Sequence, residues 1–584
     1  MPSLLHPPVP TAANRRLRWH QLYGSAAALA LAEATQLDRR LYVVIADAAR
    51  ELERLTAELR FFVGEPLPLL TLPDWEVLPY DLFSPHPDIT SERLRTLFEL
   101  PRIHHGCLVV AADTLMQRLP PKNYVQGRAF ELSVGAAIAL EPFRQRLIEA
   151  GYASVSQVVS PGEFAVRGSL LDVFPMGAAA PLRIDLFDDR IEAIRRFDPE
   201  TQRSLDSLQN IRLLPAREVP LDPDAVKEFR RRFRTRFEGD PTKTSIYRGV
   251  SEGIAPAGIE FYLPLFFDGT ATLFDYLPGD AVIVHDAALP GALIKAWQDI
   301  ETRYEDRRHD IERPVLRPAD LFLEPAELDA RLAAFSSITL DAFKADTELQ
   351  GAAASVRNFP TTAPRELRID VRAEQPLAPL DAFLDEFDGR VLIAADSPGR
   401  REVLQEMVRA HGHDITAVQG WDAFATGTAA LALTVAPDLE GLTLTAPRIA
   451  VISEAQLFGA RARQERRRKR AADPEAILRD LQDLNPGAPV VHEEYGVGRY
   501  VGLQAMQVAG QPGEFLVLEY LDGDRVYVPV HALHLVSRYT GAAPESAPLH
   551  KLGTDQWAKA RRRAAEQIRD VAAELLDLYA RRKA

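Results

Sequence analysis

At 584 residues the chain is too long for a single core, and at roughly 150 residues per domain it holds about four units. Its 46% hydrophobic content suffices to build them, and no run of about 18 uncharged apolar residues is present, which excludes a helical membrane span. Lys and Arg number 69 against 83 Asp and Glu, so the net charge of −14 repels phosphate at long range and excludes general nucleic-acid binding unless cations are concentrated locally.

Cations are concentrated in two places: the run RARQERRRKR over 461–470, and Lys559, Arg561, Arg562 and Arg563 near the end. Neither interleaves aromatic residues for base stacking, so both read first as solvated helical surfaces. The N-terminal stretch MPSLLHPPVPTAANRRLRWHQLYG lacks the order of a signal peptide, with prolines in place of an apolar core and arginines after it, so the expected location is cytoplasmic. The single cysteine, Cys107, lies beside Leu108-Val109-Val110 and reads as a buried, inert thiol; no internal disulfide is possible.

From Trp19 to Tyr124 the pattern alternates helix (25–35), strand (41–46), helix (48–60) and strand (107–112), the signature of a parallel sheet covered by helices. A β-rich insert follows. It opens with a helix over 143–149, continues with strands over 155–159, 163–174, 182–187 and 190–197, and turns at Ser160-Pro161-Gly162, Pro175-Met176-Gly177 and Asp188-Asp189. A helix over 223–237 leads to a buried strand over 281–285, so residues after the insert are expected to complete the first sheet. The stretch 351–376, rich in Ala, Pro and Thr, reads as irregular. A strand over 391–395, a helix over 400–410 and a strand over 449–452 then outline a smaller α/β region.

Between Val490 and Tyr539, apolar runs are broken by Gly496, Gly498, Gly510, Pro512-Gly513 and Asp522-Gly523, the punctuation of short antiparallel strands forming a small β barrel. A unit this small works through a strand edge or a surface. Leu516, Leu518 and Tyr520 share one strand face, and Phe515, Val517 and Leu521 the other. Both faces are apolar, one for the core and one for a partner or helix, and the open edge is assigned to 514–520. The last segment sets Trp557, Ala560, Ala564, Ile568, Val571, Leu575 and Leu578 at helical spacing, a stripe expected to dock on further sequence or on its own chain.

A parallel sheet whose first helix opens at Gly24-Ser25 invites a nucleotide hypothesis, because a glycine turn before a helix cradles phosphate with backbone N–H groups. The required GxxxxGK(S/T) is missing. Gly24, Ser25 and Ala27 stand in a sequence with neither the lysine nor the magnesium-binding hydroxyl, and His285-Asp286-Ala287-Ala288 follows the later strand where paired carboxylates would be needed. Thr242-Lys243-Thr244 and Asp385-Glu386 are decoys by context. HExxH, CxxC and GxSxG are absent too, and His104, His105, His411 and His413 read as structural, so neither a catalytic residue nor a metal ligand is assigned.

In the insert, alternation puts Leu182, Ile184 and Leu186 on one side and Arg183, Asp185 and Phe187 on the other, with Arg167 opposite Phe164 and Val166. Arginine beside an aromatic residue is an interface composition, though solvated arginines and a Phe187 packed under a helix fit the same pattern.

The segments HEEYGVGRY, VYVP and LHLVSRY resemble the polymerase-interacting, CarD-like domain of bacterial transcription-repair coupling factors. LPDWEVLPYD, FSPHPDITSERL and DTLMQRL resemble their UvrB-homology module, and EFAVRGSLLDVFPMG and LRIDLFDDRIEAIRRFD their UvrA-binding insert. The resemblance covers nearly the whole chain. It implies an α/β multidomain fold: a degenerate UvrB-like domain over 1–125 and 213–345, a UvrA-binding insert over 126–212, a small α/β domain over 346–460, a charged linker over 461–480, a CarD-like domain over 481–546 and a linker helix over 547–584. It further implies UvrA contacts at Arg167, Arg183 and Phe187, and contacts to the RNA polymerase β subunit around Phe515, Leu516, Val517 and Leu518.

The expectation is a monomeric adaptor of transcription-coupled excision repair that hydrolyses nothing itself. In the family, ATP and magnesium belong to a translocase motor that this sequence lacks, and DNA binding is weak or resides in that motor. The alternatives are a UvrB-like ATPase that binds damaged DNA, and a CarD-like transcription regulator.

Overall fold

The structure, a computed structural model, describes residues 3–64, 67–199, 201–346, 355–369, 375–436, 438–459, 487–492, 495–508, 511–529, 536–538 and 549. Two compact units are present, Met1–Arg461 and Ala462–Ala584. The cationic runs and the apolar stripe of the last segment lie outside the described residues. Among those described, no helix is long and apolar enough to cross a membrane.

The first unit is built on a seven-stranded parallel sheet. Its order is Val356–Asn358, Arg16–His20, Ser336–Leu340, Val282–Asp286, Leu41–Ala46, Gly106–Ala111, Leu69–Leu72. Leu41–Ala46 and Gly106–Ala111 are buried at every residue, as strands covered on both faces must be. Their alternate side chains feed two separate cores: Val43, Ile45, Leu108 and Val110 face one, while Tyr42, Val44, Cys107 and Val109 face the other. Helix α1 (Ala26–Leu37) and helix α2 (Ala49–Val63) pack into the second core. Three of the seven strands come from sequence beyond the insert, the completion expected from the buried strand near 281–285. Val356–Asn358 extends this sheet past the boundary drawn at 345. Together with Thr361–Thr362, it corrects the reading of 351–376 as irregular, because short edge strands carry almost no periodicity.

The insert forms a six-stranded sheet ordered Ser204–Leu208, Arg190–Phe197, Leu182–Phe187, Leu170–Val173, Glu163–Arg167, Ala153–Ser154. Two expectations fail. The stretch 163–174 is not one strand but a hairpin, Glu163–Arg167 and Leu170–Val173, reversing at Gly168 with φ +61°. The strand expected over 155–159 is loop, preceded by the two-residue strand Ala153–Ser154. A buried ion pair joins the segment that follows the insert to the helix Pro87–Glu99: Arg93 Nε reaches Glu218 Oε1 at 2.5 Å and Arg93 Nη2 reaches Oε2 at 3.3 Å, with both side chains sealed from solvent. Arg93 Nη1 also donates to the Pro73 carbonyl at 2.7 Å, and Trp75 Nε1 to Glu218 at 3.4 Å.

The smaller α/β region carries a six-stranded mixed sheet ordered Thr361–Thr362, Leu442–Thr445, Arg448–Ser453, Arg390–Ala395, Leu431–Val435, Thr416–Ala417. One face of it, through Leu392, Ala394, Leu442 and Leu444, shares the core of α1 and α2, joined by Trp421 and Phe424. The second unit is a five-stranded antiparallel sheet, Arg525–Pro529, Gln511–Glu519, Gly496–Val508, Pro489–His492, Val536–Arg538.

Candidate functional site

The turn at Gly24-Ser25, where the sequence invites a nucleotide, is closed by the protein's own groups. Gly24 takes φ +57° and Ser25 caps α1. The Ser25 backbone N–H donates to the Gly441 carbonyl at 2.8 Å, and Ser25 Oγ donates to Glu58 Oε1 at 2.6 Å. The Glu440 N–H closes the ring, 3.1 Å from Ser25 Oγ and 3.2 Å from Glu58 Oε1, and Arg54 bridges Glu58 at 3.0 Å and Glu440 at 3.3 Å. A Cβ placed on Gly24 would collide with the Gly441 carbonyl. Ala27 is half-buried beside this plug. Burial pushes the Glu58 carboxyl above its ordinary range, opposed by Arg54. Glu58 lies 33 positions from Ser25 and Glu440 lies 415 positions away, so the sequence around Gly24 does not announce the plug.

The three insert residues lie on one face of one sheet. Arg167, Leu170 and Asp185 form a cross-strand row, and Leu182–Phe187 alternates buried and exposed as expected. Phe187 is 70% exposed, which rules out packing under a helix. Arg167 is exposed and donates to the Ser156 carbonyl. Arg183 is not a free solvated cation. Its fork grips Asp172 twice, Nε to Oδ1 and Nη2 to Oδ2 at 2.8 Å each, and its guanidinium lies 4.8 Å from the Phe197 ring centroid. The Asp172 hydrogen bond raises the Arg183 pKa further, so the charge is permanent. Asp185 is likewise held by Arg195. The face is therefore closed over Phe197, with Val158, Ala165 and Phe174, and open at Phe187. Alternation does not reveal Asp172 as a partner, because the hairpin that sets it opposite Arg183 looks like one continuous strand.

In the small antiparallel sheet, the edge assignment is corrected. Gln511–Glu519 pairs with Gly496–Val508 on one side and Arg525–Pro529 on the other, so 514–520 is interior. Leu516, Val517 and Leu518 are buried at 1%, 3% and 0% exposure and form core. The Phe515 side chain lies outside the described residues. Two apolar faces on one strand mean that both are covered within the sheet's own fold, a possibility that alternation alone cannot separate from a partner. The strands ending the sheet among the described residues are Arg525–Pro529 and Val536–Arg538, and Tyr527 is exposed on the first.

No group of His, Cys, Asp and Glu among the described residues could hold a metal. An open depression of about 330 Å³ is lined by Arg365, Phe383, Glu386, Phe387, Asp388 and Arg448. Its charges are mutually satisfied, Arg365 with Glu386 at 2.6 Å and Arg448 with Asp388 at 2.9 Å. The described residues thus form an α/β multidomain protein whose insert carries an exposed aromatic side chain beside an ordered arginine.

Comparison with known proteins agrees. Residues 130–219 match the UvrB interaction domain, 383–457 the MFD D3 domain, and 484–540 the CarD-like/TRCF RID domain. Over its full length the chain is 40% identical to the transcription-repair-coupling factor of Haemophilus influenzae and 39% identical to that of Escherichia coli; 98% of it aligns at 32% identity with that of Myxococcus xanthus. The chain spans about half the length of the curated relatives it matches, 50%, 50% and 49% respectively. Over its whole length the chain is thus similar to the N-terminal half of proteins named transcription-repair-coupling factor.

Proposed function

We propose that this chain is an adaptor of transcription-coupled excision repair, holding UvrA through the insert and the RNA polymerase β subunit through the small antiparallel sheet, and acting as a monomer in the cytoplasm. The observation that carries the reading is Phe187, an aromatic side chain left in solvent on a UvrB interaction domain, flanked by arginines whose geometry is fixed from within the sheet. An exposed aromatic among ordered arginines is the composition of a binding hot spot. Strand addition to the edge Arg525–Pro529, with Tyr527 beside it, is the mode proposed for polymerase. ATP and magnesium are assigned to the motor of the longer relatives, and this chain requires no cofactor.

The test is retention of purified UvrA and of RNA polymerase on the immobilised chain. Phe187→Ala should lose UvrA and keep polymerase, and Tyr527→Glu should do the reverse. Equal retention by both variants and the parent chain overturns the assignment. The UvrB-like ATPase reading is disfavoured by the Glu58 plug and would require ATP to bind the isolated chain. A regulator without a repair role would retain polymerase and ignore UvrA.

A further inference from the structure

A third cationic cluster becomes visible once helices are placed. Helix α3 (Pro223–Arg236) carries the run RRRFRTR, and between 223 and 248 eight basic residues face four acidic ones in a chain of net charge −14. Ala225, Phe229 and Phe233 form the buried stripe of α3 and turn its arginines outward.

Several of these charges are neutralised locally. Arg231 and Arg232 share Glu228, Arg232 also reaches Asp268 at 2.5 Å, and Arg236 pairs with Asp320. Lys227, Arg230 and Arg234 remain. They lie at steps of three and four on one flank of α3, all exposed, with no acidic partner within ion-pair distance among the described residues. Arg230 Nε donates to the Tyr247 hydroxyl at 3.3 Å, and the guanidinium carbons of Arg230 and Arg234 stand 5.9 and 5.5 Å from the Tyr247 ring centroid. Tyr247 is buried in helix α4 (Ser245–Ser251), and the exposed Arg248 follows it. Two guanidinium groups are thus held around one ring, a like-charge arrangement that costs stability on its own and favours an anion.

The choice of anion follows from spacing and surroundings. At 1.5 Å rise per residue, Lys227 to Arg234 spans about 10 Å. One strand of a duplex presents a phosphate charge every ~3.4 Å of axis, so the stripe spans about three phosphates, one for each of its cations. The two helices expose no large apolar side chain, and the single exposed Ile254 beyond α4 is not the aromatic or arginine anchor that a protein partner favours. The buried Tyr247 ring offers no face for base stacking, which favours backbone contact over single strands. We propose that the flank formed by α3 and α4 binds the phosphate backbone of duplex nucleic acid without sequence preference. The surface is separate from those of the adaptor reading and stands independently of it.

The test is fluorescence anisotropy of a labelled 20-base-pair duplex titrated with the full chain at several salt concentrations. The parent should bind at low salt. K227A/R230A/R234A should weaken binding about tenfold or more at 50 mM salt and flatten the log–log salt slope by about 3, roughly one for each phosphate no longer neutralised. Substituting the exposed Arg50, Arg307 and Lys344 by alanine removes the same charge elsewhere and should change little. Unchanged affinity and slope in the first variant, equal loss in the second, no binding by the parent, or displacement of duplex by polyglutamate at equal charge would each overturn the proposal. Should the triple variant lose its thermal transition, Lys227→Ala alone decides: it touches no ring, and a slope reduced by about 1 supports the proposal while an unchanged slope overturns it.

Discussion

Arg183 and Asp172 face each other across neighbouring antiparallel strands with both guanidinium–carboxylate contacts at 2.8 Å. The pair is largely shielded, and Arg183 Nη1 also donates to the Gln202 carbonyl at 3.3 Å, so the plane of the guanidinium is fixed. A partner would thus meet a positioned donor rather than a searching one, and less ordering entropy is lost on binding.

This pairing separates two substitutions that would otherwise look equivalent. Arg183→Glu sets a second carboxylate against the buried Asp172 and should lower unfolding free energy by about 2–3 kcal/mol, read as a shifted urea midpoint. Phe187→Ala should stay within about 0.5 kcal/mol of the parent, because its ring contributes little to the core. A loss of UvrA retention is therefore interpretable in Phe187→Ala and confounded in Arg183→Glu.

The sealed Arg93–Glu218 pair is expected to be the costliest polar contact to break. Glu218→Ala leaves a guanidinium buried without a counter-charge, and a loss of about 3–5 kcal/mol is expected in chemical denaturation. Arg93→Met combined with Glu218→Leu should recover much of that loss, since an apolar pair needs no desolvation of charge.

Gly24→Ala should destabilise by about 1–3 kcal/mol, because the residue needs a left-handed backbone and has no room for a Cβ beneath the Gly441 carbonyl. Calorimetric melting measures the loss, and titration of the variant with ATP should show no gained affinity, since the turn still lacks a phosphate-binding lysine.

Glu58 sets a pH dependence with a defined sign. Its folded pKa is raised by burial above the ordinary 4.5, so the native state holds the proton more tightly than the unfolded chain. Its contribution is complete below 4.5 and is lost as pH rises through the folded value. Glu58→Gln keeps an acceptor for Ser25 Oγ and should flatten that decline, seen by comparing melting temperatures of parent and variant as pH is raised above the ordinary carboxylate range.

Cys107 should resist alkylation at about pH 8 in the native state and react on unfolding. Burial pushes its thiol up to about 12, so almost no thiolate exists to attack. Mass spectrometry after a timed iodoacetamide pulse checks this.

Long periodic elements are legible from the sequence because burial imprints itself on consecutive residues: the strands Leu41–Ala46, Leu182–Phe187 and Arg190–Phe197 match their expected bounds. Short turns inside apolar runs are not. The hairpin at Gly168 is hidden because both arms continue the same alternation, and the interior status of Leu516 depends on neighbouring strands that periodicity cannot name. Alternation alone places Arg167, Arg183 and Phe187 on the correct face, but the Asp172 grip on Arg183 requires the register of two strands. The cations of α3 escape the sequence for another reason: scattered acids on other elements decide which arginines stay unpaired, and that pairing exists only in three dimensions.

The apolar layer shared by the two sheets of the first unit has a consequence for how such a chain can be cut or recombined. Trp421 packs edge-on against Phe62 at 5.1 Å and close to Phe61 at 6.3 Å, so the later sheet roofs helix α2 of the earlier one. Excising 346–460 as a cassette would strip that roof and bare the helices to water. A chimera that exchanges only one of the two sheets with a homologue should therefore be less stable than one that exchanges both.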